Sequence, residues 1–483
     1  MPGKNTREIW LGSIILVLAA GLRLYGLAAP SLWHDEAFTW FFTRLAWFEM
    51  LDTVRLDGVN PPVYYLGVKL FIGWLGEGEL GLRLLSAAAG VGAVYAAWLL
   101  GREAGGRMGG VAGAGLVAFH PMAVHYARDA RPYGLVSLLS VLLVLAFLRL
   151  RRGGTRLAWG AALLLLVLGQ LSHYFFFVLG GALVGIAVVD LKRRRVFFRR
   201  WVLVWIAGFV PLALWMWWYF SQPTPSLGIG WIDQPNWQAP LGTWWNLFSG
   251  YGGVLAWPVM VFGSLNVCLA ALAVFRAKDR RTTQMILWLG LILPVLGVWM
   301  ISQRRAVYVD RYFIVLLPFV VYLVSVGAQV LGERMAAWEF SVLAKRAALL
   351  IWAVLGLWVG WQVQAAPQYG REDWRGLIGF IEEHSEAKPL LWLSEPEASI
   401  PIQYYYRGNL ESAVSGANPL LCSSPCWWVL RQPYTATHAF SQGVTVLGRE
   451  WLPEEPEGCQ ELLSWESDTG LALRQVVCGQ GAP

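Results

Sequence analysis

The sequence predicts a polytopic α-helical membrane protein with about eleven transmembrane helices, followed by a small C-terminal α/β domain. Three observations lead there. Of 483 residues, 57% are hydrophobic and 14% charged, where soluble globular domains carry roughly 25% charged residues. Apolar runs of ~17–25 residues recur as far as residue 364, the length that crosses the hydrocarbon as a helix. Arg and Lys gather in short clusters between those runs, as residues that set membrane orientation do. The formal charge of +7 follows from these clusters, and no nucleic-acid partner is expected.

Hydropathy places the spans at roughly 9–28, 81–101, 107–126, 133–150, 157–172, 174–190, 201–220, 252–275, 284–301, 312–332 and 347–364. The first begins behind Lys4 and Arg7. It reads as a retained helix rather than a signal peptide, because the apolar stretch runs past Ala20 and no small-residue cleavage site precedes the next loop. With these spans the basic clusters share one side, predicted cytoplasmic. They are Lys4/Arg7, Arg102/Arg107, Arg149/Arg151/Arg152/Arg156, 192–200, Arg276/Lys278/Arg280/Arg281 and Arg334/Lys345/Arg346. Segment 62–74 is apolar but short, follows Pro61-Pro62 and contains Lys69. Were it a span, the basic clusters would face outward, so it is read as an interfacial helix within an outer loop, 29–80.

The extracytoplasmic side then receives 29–80, 125–133, 221–251, 302–311 and the tail 365–483, with residues 1–364 forming the membrane domain and His173 at the outer end of a hairpin. The tail changes composition and becomes polar and Glu-rich. EDWRGLIGFIEEH reads as a helix, and PLLWLS, CWWVLR and LALRQVVC as strands. Four of the five cysteines lie there, and an even number in an oxidising compartment favours disulfides, most simply Cys422–Cys426 and Cys459–Cys478. A zinc site is the alternative. Cys268 is expected to be buried within a span.

Five groups of residues could carry chemistry. SLWHDEAFTW sets Asp35 beside Glu36 among Trp33, Phe38, Trp40, Phe41 and Phe42. A carboxylate in such flanks is a candidate general base; a charged loop at the membrane exit is the plainer reading. HYARDARPYG closes a short outer turn with Arg128, Asp129 and Arg131. It reads as a station for a phosphate or for orienting a carboxylate, or as an interfacial Arg–Asp pair. SQRRAVYVDRYFIVLLP brings Arg304, Arg305, Asp310 and Arg311 to an outer helix end. Three arginines there run against the positive-inside bias, and an anionic lipid headgroup is their natural partner. Arg311, ahead of Tyr312 and Pro318, is best placed; Arg304 and Arg305 read equally as snorkelling residues. NPPVYY with Lys69, and LSHYFFF with His173, complete the set. Asn60, Tyr64, Lys69, His173 and Tyr312 are therefore candidate substrate-lining residues, although a lone His in an aromatic run is more often structural. Carboxylates and arginines on one face at bilayer depth suit a substrate that is both lipid and anionic.

In order along the chain, WHDEAFT, NPPVYYLGVKL, RLLSAAAG, HPMAVHYARDARPYG, HYFF and DRYFIVLLP resemble the motifs of GT-C membrane glycosyltransferases. The closest likeness is to the bacterial branch related to protein O-mannosyltransferases and lipid-A aminoarabinose transferases. It covers about residues 8–332, and EDWRGLIGFI resembles the start of the tail in bacterial members. The resemblance implies a GT-C-like fold in the inner membrane of a bacterium, with the N-terminus cytoplasmic. It implies inverting transfer of a sugar from a polyprenyl-phosphate donor to an acceptor, whether protein, lipid or glycan, on the extracytoplasmic face. By carry-over Asp35 is the base and Glu36 its catalytic neighbour, Arg128 and Asp129 match the second charged loop, and Arg311 matches a donor-phosphate arginine. Asn60 stands where the family often has His. Some relatives use a divalent cation, which makes Asp35, Glu36 and Asp129 candidate oxygen ligands; no other cofactor is expected. A transporter or flippase of a lipid-linked sugar is the alternative function. A membrane scaffold is a third reading.

Overall fold

The computed structural model describes residues 4–223, 225, 230, 232–250, 257–337, 342–365, 371–384, 391–393, 398–406, 414–415, 426–431, 459–466 and 471–478. Helices dominate them. After α1 (Lys4–Leu24), three helices make up most of the first loop: α2 (His34–Arg44), α3 (Trp47–Asp57) and α4 (Val63–Leu75). They share a hydrophobic cluster around Trp40, Phe42, Met50, Tyr64, Tyr65 and Val68, which Leu82, Leu212 and Trp215 also join. Their outward faces keep Phe48 at 88% and Trp74 at 91% exposure, aromatic positions of the kind that lie well at a membrane interface.

α5 (Glu79–Phe119) covers two of the expected spans in one element of 41 residues. It turns at Gly105 and Gly106, where Gly106 adopts φ +58°, a left-handed backbone that glycine accepts without steric cost. The two halves then lie close against each other. A Cβ on Gly101 would come within 2.2 Å of the Gly109 carbonyl oxygen. The second half ends at Phe119 rather than 126, because Pro121 follows and disfavours helix at His120. A short α6 (Pro121–Ala127) starts there with proline in its first turn.

α7 (Tyr133–Leu150), α8 (Arg156–Gln170), α9 (Phe176–Val189) and α10 (Arg195–Phe220) come next, then α11 (Ala239–Ser249) and α12 (Trp257–Arg276). The expected span 284–301 is α13 (Arg280–Met285), a π-helical stretch Ile286–Ile292, and α14 (Leu293–Ser302). Pro294 lacks the N–H that would continue the ladder, which accounts for the irregularity just before it. A 3₁₀ segment, Asp310–Leu316, leads into α15 (Leu317–Ala337), with α16 (Val342–Ala365) behind it. Residues 317–328 of α15 are all buried, packed against α5 and α12. Contact with α12 is so close that a Cβ on Gly327 would meet the Leu269 carbonyl at 1.8 Å.

Among the described residues, six helices are long and apolar enough to cross a membrane: Glu79–Phe119, Tyr133–Leu150, Arg195–Phe220, Trp257–Arg276, Arg280–Ser302 and Asp310–Ala337. Shorter apolar helices accompany them. The chain is an integral, multi-pass membrane protein. Cys268, expected inside, is exposed on α12; that side of the helix faces away from α15 and the core.

Beyond α16 come α17 (Trp374–His384), β1 (Leu391–Leu393), α18 (Ser399–Tyr405), β2 (Val414–Ser415), β3 (Cys426–Arg431), β4 (Cys459–Glu466) and β5 (Leu471–Cys478). The strands form one sheet in the order β2-β1-β3-β5-β4, parallel at β2-β1-β3 and antiparallel at β3-β5-β4. Trp374, Leu377, Ile378 and Ile381 of α17 pack on it with Leu391, Trp427, Val429 and Leu473. Cys422 lies outside the described residues. The β4–β5 register sets the backbone of Cys459 opposite that of Cys478.

Candidate active site

The first turn of α2 carries Asp35 and Glu36. Adjacent residues on a helix point about 100° apart, so the pair divides. Glu36 turns inward and is fully buried. Its Oε1 and Oε2 accept Arg83 Nε and Nη2 at 2.7 and 2.6 Å, a bidentate pair. Arg83, at the start of α5, gives its remaining N–H groups to the carbonyls of Leu27, Pro30 and Ser31. All five donors of that guanidinium are thus used, and they tie the loop after α1 to α2.

A second guanidinium joins from far along the chain. Arg371 lies 3.2 and 3.1 Å from the two oxygens of Glu36, donates to the Arg128 carbonyl at 2.6 Å and approaches Asp129 Oδ1 at 3.4 Å. Asp129 Oδ1 also accepts Trp33 Nε1 at 2.7 Å. Burial works against the charge on Glu36, but Arg371 and Arg83 outweigh it and hold the carboxyl down at about 2. Asp129 goes the other way. Burial, then the charge of Glu36, pushes it up to about 7 despite Arg371 and the Trp33 bond.

Asp35 turns to the opposite side. Its carboxylate keeps 23% side-chain exposure and faces two buried guanidiniums, Arg131 Nε at 3.8 Å and Arg311 Nη2 at 3.9 Å. Arg131 Nη1 also donates to the Asp35 carbonyl at 3.2 Å. Arg311 is the second residue of the 3₁₀ segment, and its Nε donates to Tyr133 Oη at 3.0 Å. Aromatic rings close this corner: Tyr312 meets His173 edge-on at 4.8 Å, and Tyr133 lies 5.5 Å from His173. Burial, then Arg131 and Arg311, pushes the His173 imidazole down to about 3, so it is neutral near pH 7. Next to Arg311, Asp310 accepts from Asn246 Nδ2 at 3.0 Å and from Thr243 Oγ1, anchoring the 3₁₀ segment on α11.

Asp35, Arg131, Arg311, Tyr312 and His173 therefore come together, while other expected site residues go elsewhere. The Arg128 guanidinium donates to the carbonyls of Leu22, Arg23, Tyr25 and Gly26, the C-terminal end of α1. Lys69 Nζ donates to the Thr43 carbonyl at 2.9 Å and to that of Leu45, capping α2, with its charge over the Trp47 ring. Tyr64 Oη is bonded to Ser86 Oγ at 2.8 Å. Asn60 is buried beside Tyr65. The three candidate cation ligands do not share a site, because Glu36 is saturated by Arg83, Arg371 and the Ala130 N–H, Asp129 turns to Trp33, and Asp35 faces arginines. Among the described residues no group of three His, Cys, Asp or Glu could hold a metal ion.

Arg83 and Arg371 were not singled out from the sequence. Arg83 had a signal, an arginine at the head of an apolar run whose neighbours are Leu. Arg371 had none, since its partner is 335 residues away.

Residues 59–219 match the sequence profile of the dolichyl-phosphate-mannose-protein mannosyltransferase family. No curated protein matches the chain. Among solved structures, the chain is similar to ArnT from Cupriavidus metallidurans bound to undecaprenyl phosphate, at TM-score 0.58 and 12% identity over 98% of each chain. The apo state of that ArnT gives TM-score 0.57 at 12% identity, covering 96% of this chain and 97% of the other. The Archaeoglobus fulgidus oligosaccharyltransferase in the apo form gives TM-score 0.50 at 13% identity, covering 87% of this chain and 65% of the other. This chain has the fold of the GT-C membrane glycosyltransferases and within that group resembles the protein O-mannosyltransferases and ArnT.

Proposed function

We propose that the protein is an inverting glycosyltransferase that takes a sugar from a polyprenyl-phosphate donor and passes it to an acceptor on the extracytoplasmic face of a bacterial inner membrane. One observation carries this reading. Asp35 is a partly exposed carboxylate set against two buried guanidiniums, Arg131 and Arg311, that come from different ends of the membrane part. A phosphate oxygen entering beside Asp35 would meet the same two guanidiniums, the groups that bind phosphate by charge-assisted hydrogen bonds. Undecaprenyl phosphate, bound by the similar ArnT, supplies the model for such a ligand.

In this reading Arg311 and Arg131 hold the donor phosphate by charge-assisted hydrogen bonds. Asp35 accepts the proton of the acceptor's hydroxyl or amine as that atom attacks the anomeric carbon from the face opposite the phosphate. The bond from sugar carbon to phosphate oxygen breaks, and its electron pair stays on the phosphate, where the guanidiniums stabilise the growing charge. Neutral His173 and the Tyr312 and Tyr133 rings give the sugar an aromatic wall. The basic clusters, on the positive-inside rule, support a cytoplasmic N-terminus and an extracytoplasmic tail after residue 365.

The test is purified protein in lipid vesicles with a panel of radiolabelled polyprenyl-phosphate sugars. Sugar transferred or released as free sugar supports the enzyme and names its donor. Movement of intact donor across the bilayer without cleavage would favour a transporter instead.

A further inference from the structure

We infer that Arg371, just ahead of α17, belongs to the site as a positioning residue that sets Arg131 and Asp35. The inference rests on the reading of those two residues just given.

The turn 128–131 is pinned at four backbone atoms. Ala130 N–H donates to Glu36 Oε1 at 2.7 Å, and the Ala130 carbonyl accepts Thr39 Oγ1 at 2.8 Å. The Arg131 carbonyl accepts Ser86 Oγ at 2.9 Å. The fourth, the Arg128 carbonyl, is held by Arg371 at 2.6 Å. Arg371 thus grips the turn directly and, through Glu36, a second time. Arg131 leaves the end of that turn and reaches Asp35.

Charge makes the grip necessary. Glu36 and Asp129 are both fully buried; Arg371 faces both carboxylates, and Arg83 pairs with Glu36. Without Arg371 two buried carboxylates would be left with one cation, a state that the low-dielectric interior penalises. A proton on Asp129 can relieve that charge, but it does not replace the Arg371 bond to the Arg128 carbonyl, so the 128–131 turn loses one of its four ties and Arg131 with it loses its fixed place.

The neighbours of Arg371 hold the same loop. Glu372 accepts the His34 N–H at 3.0 Å. Arg375 donates to the Ala29 carbonyl at 3.0 Å, and its N–H donates to Ser31 Oγ at 3.1 Å. Tyr405 Oη accepts the Leu32 N–H at 2.6 Å and donates to Glu79 at 3.0 Å. Residues 29–34 are therefore held between the membrane helices and the tail.

The experiment compares wild type with Arg371→Gln, Arg371→Lys and Arg375→Gln, in detergent. It reads amide hydrogen exchange and affinity for undecaprenyl phosphate, with Arg311→Gln as the binding control. Arg371→Gln is expected to raise exchange in peptides covering 28–44 and 121–135, leave α12 and α15 unchanged, and weaken undecaprenyl phosphate at least about tenfold. Arg371→Lys, which keeps the charge but not the fork, falls between it and wild type. It also supplies the comparison if Arg371→Gln does not fold. Arg375→Gln, a half-exposed contact, changes affinity less than about threefold. Unchanged exchange in the two peptides, or raised exchange with unchanged affinity in both Arg371 variants, would overturn the inference. If wild type does not bind undecaprenyl phosphate, the donor reading fails, and the exchange comparison alone decides whether Arg371 holds the turn.

Discussion

Asp35 and Glu36 are consecutive in the chain, yet their carboxylates lie in different surroundings, one 23% exposed and facing Arg131 and Arg311, the other fully buried against Arg83 and Arg371. One helical step separates a group that can meet substrate from a group that holds the loop. Glu36→Gln leaves two guanidiniums buried beside a neutral amide, and removing one partner of a buried pair costs roughly 3–5 kcal/mol. The variant is expected to lower the thermal midpoint in detergent markedly, and Asp35→Asn, whose carboxylate is partly exposed and 3.8 and 3.9 Å from its guanidiniums, to lower it less. Thermal unfolding of the two, side by side, checks this.

The arginine pair predicts a binding defect of a definite kind. A hydrogen bond to a charged group contributes about 1.5–3 kcal/mol, so Arg311→Gln or Arg131→Gln should weaken undecaprenyl phosphate by roughly 10–150-fold. Arg128→Gln should act on stability first, because its guanidinium caps α1. Equal loss of affinity in Arg128→Gln and Arg311→Gln, with both folded, would argue against this division.

Asp129 predicts a pH dependence. Its folded pKa, about 7, lies above the ordinary 3.8, so the folded state holds the proton more tightly than the unfolded chain. That stability is complete below about pH 4 and is lost as pH rises through 7. Glu36, held near 2, has the opposite sign, and its loss lies in acid below about pH 4.5. Relative to wild type, Asp129→Asn should therefore gain thermal stability as pH rises from about 5 to 8. Parallel curves for the two proteins would remove Asp129 as the titrating group.

Close backbone approach predicts the cost of added atoms. Gly327→Ala must displace the Leu269 carbonyl, which sits 1.8 Å from the new Cβ, and Gly101→Ala must open the α5 turn against Gly109. Either should destabilise by about 1–3 kcal/mol or more. Gly181→Ala, with nothing within 4 Å of its Cβ, is the control and should be neutral or slightly stabilising. Thermal midpoints of the three decide.

Helices of the membrane part were legible because hydrocarbon thickness fixes their length and basic clusters mark their ends. At Pro121 the apolar run outlasts the regular helix, and hydropathy alone set that boundary too far; at Pro294 the helix continues past the proline after a π-helical stretch. Asp35, Arg131 and Arg311 could be proposed from residue type and context. Arg128, Asp129 and Arg131 read as one station in the sequence. In the fold the turn sends them three ways: to the end of α1, to Trp33, and to Asp35. Arg371 was illegible for a physical reason: its role comes from a contact across 335 residues, which no local pattern encodes. β4 carries Glu, Gln and Ser among its apolar residues and lacked the alternation that marks a strand.

The central claim is that Asp35 removes the acceptor proton while Arg131 and Arg311 hold the donor phosphate. The most direct measurement is donor turnover and undecaprenyl-phosphate affinity in the same preparation of Asp35→Asn. Turnover should fall by about 10²–10⁴-fold, with affinity unchanged or tighter, because a negative charge has been removed from beside two guanidiniums. Turnover within a few-fold of wild type in a folded Asp35→Asn protein would contradict the account.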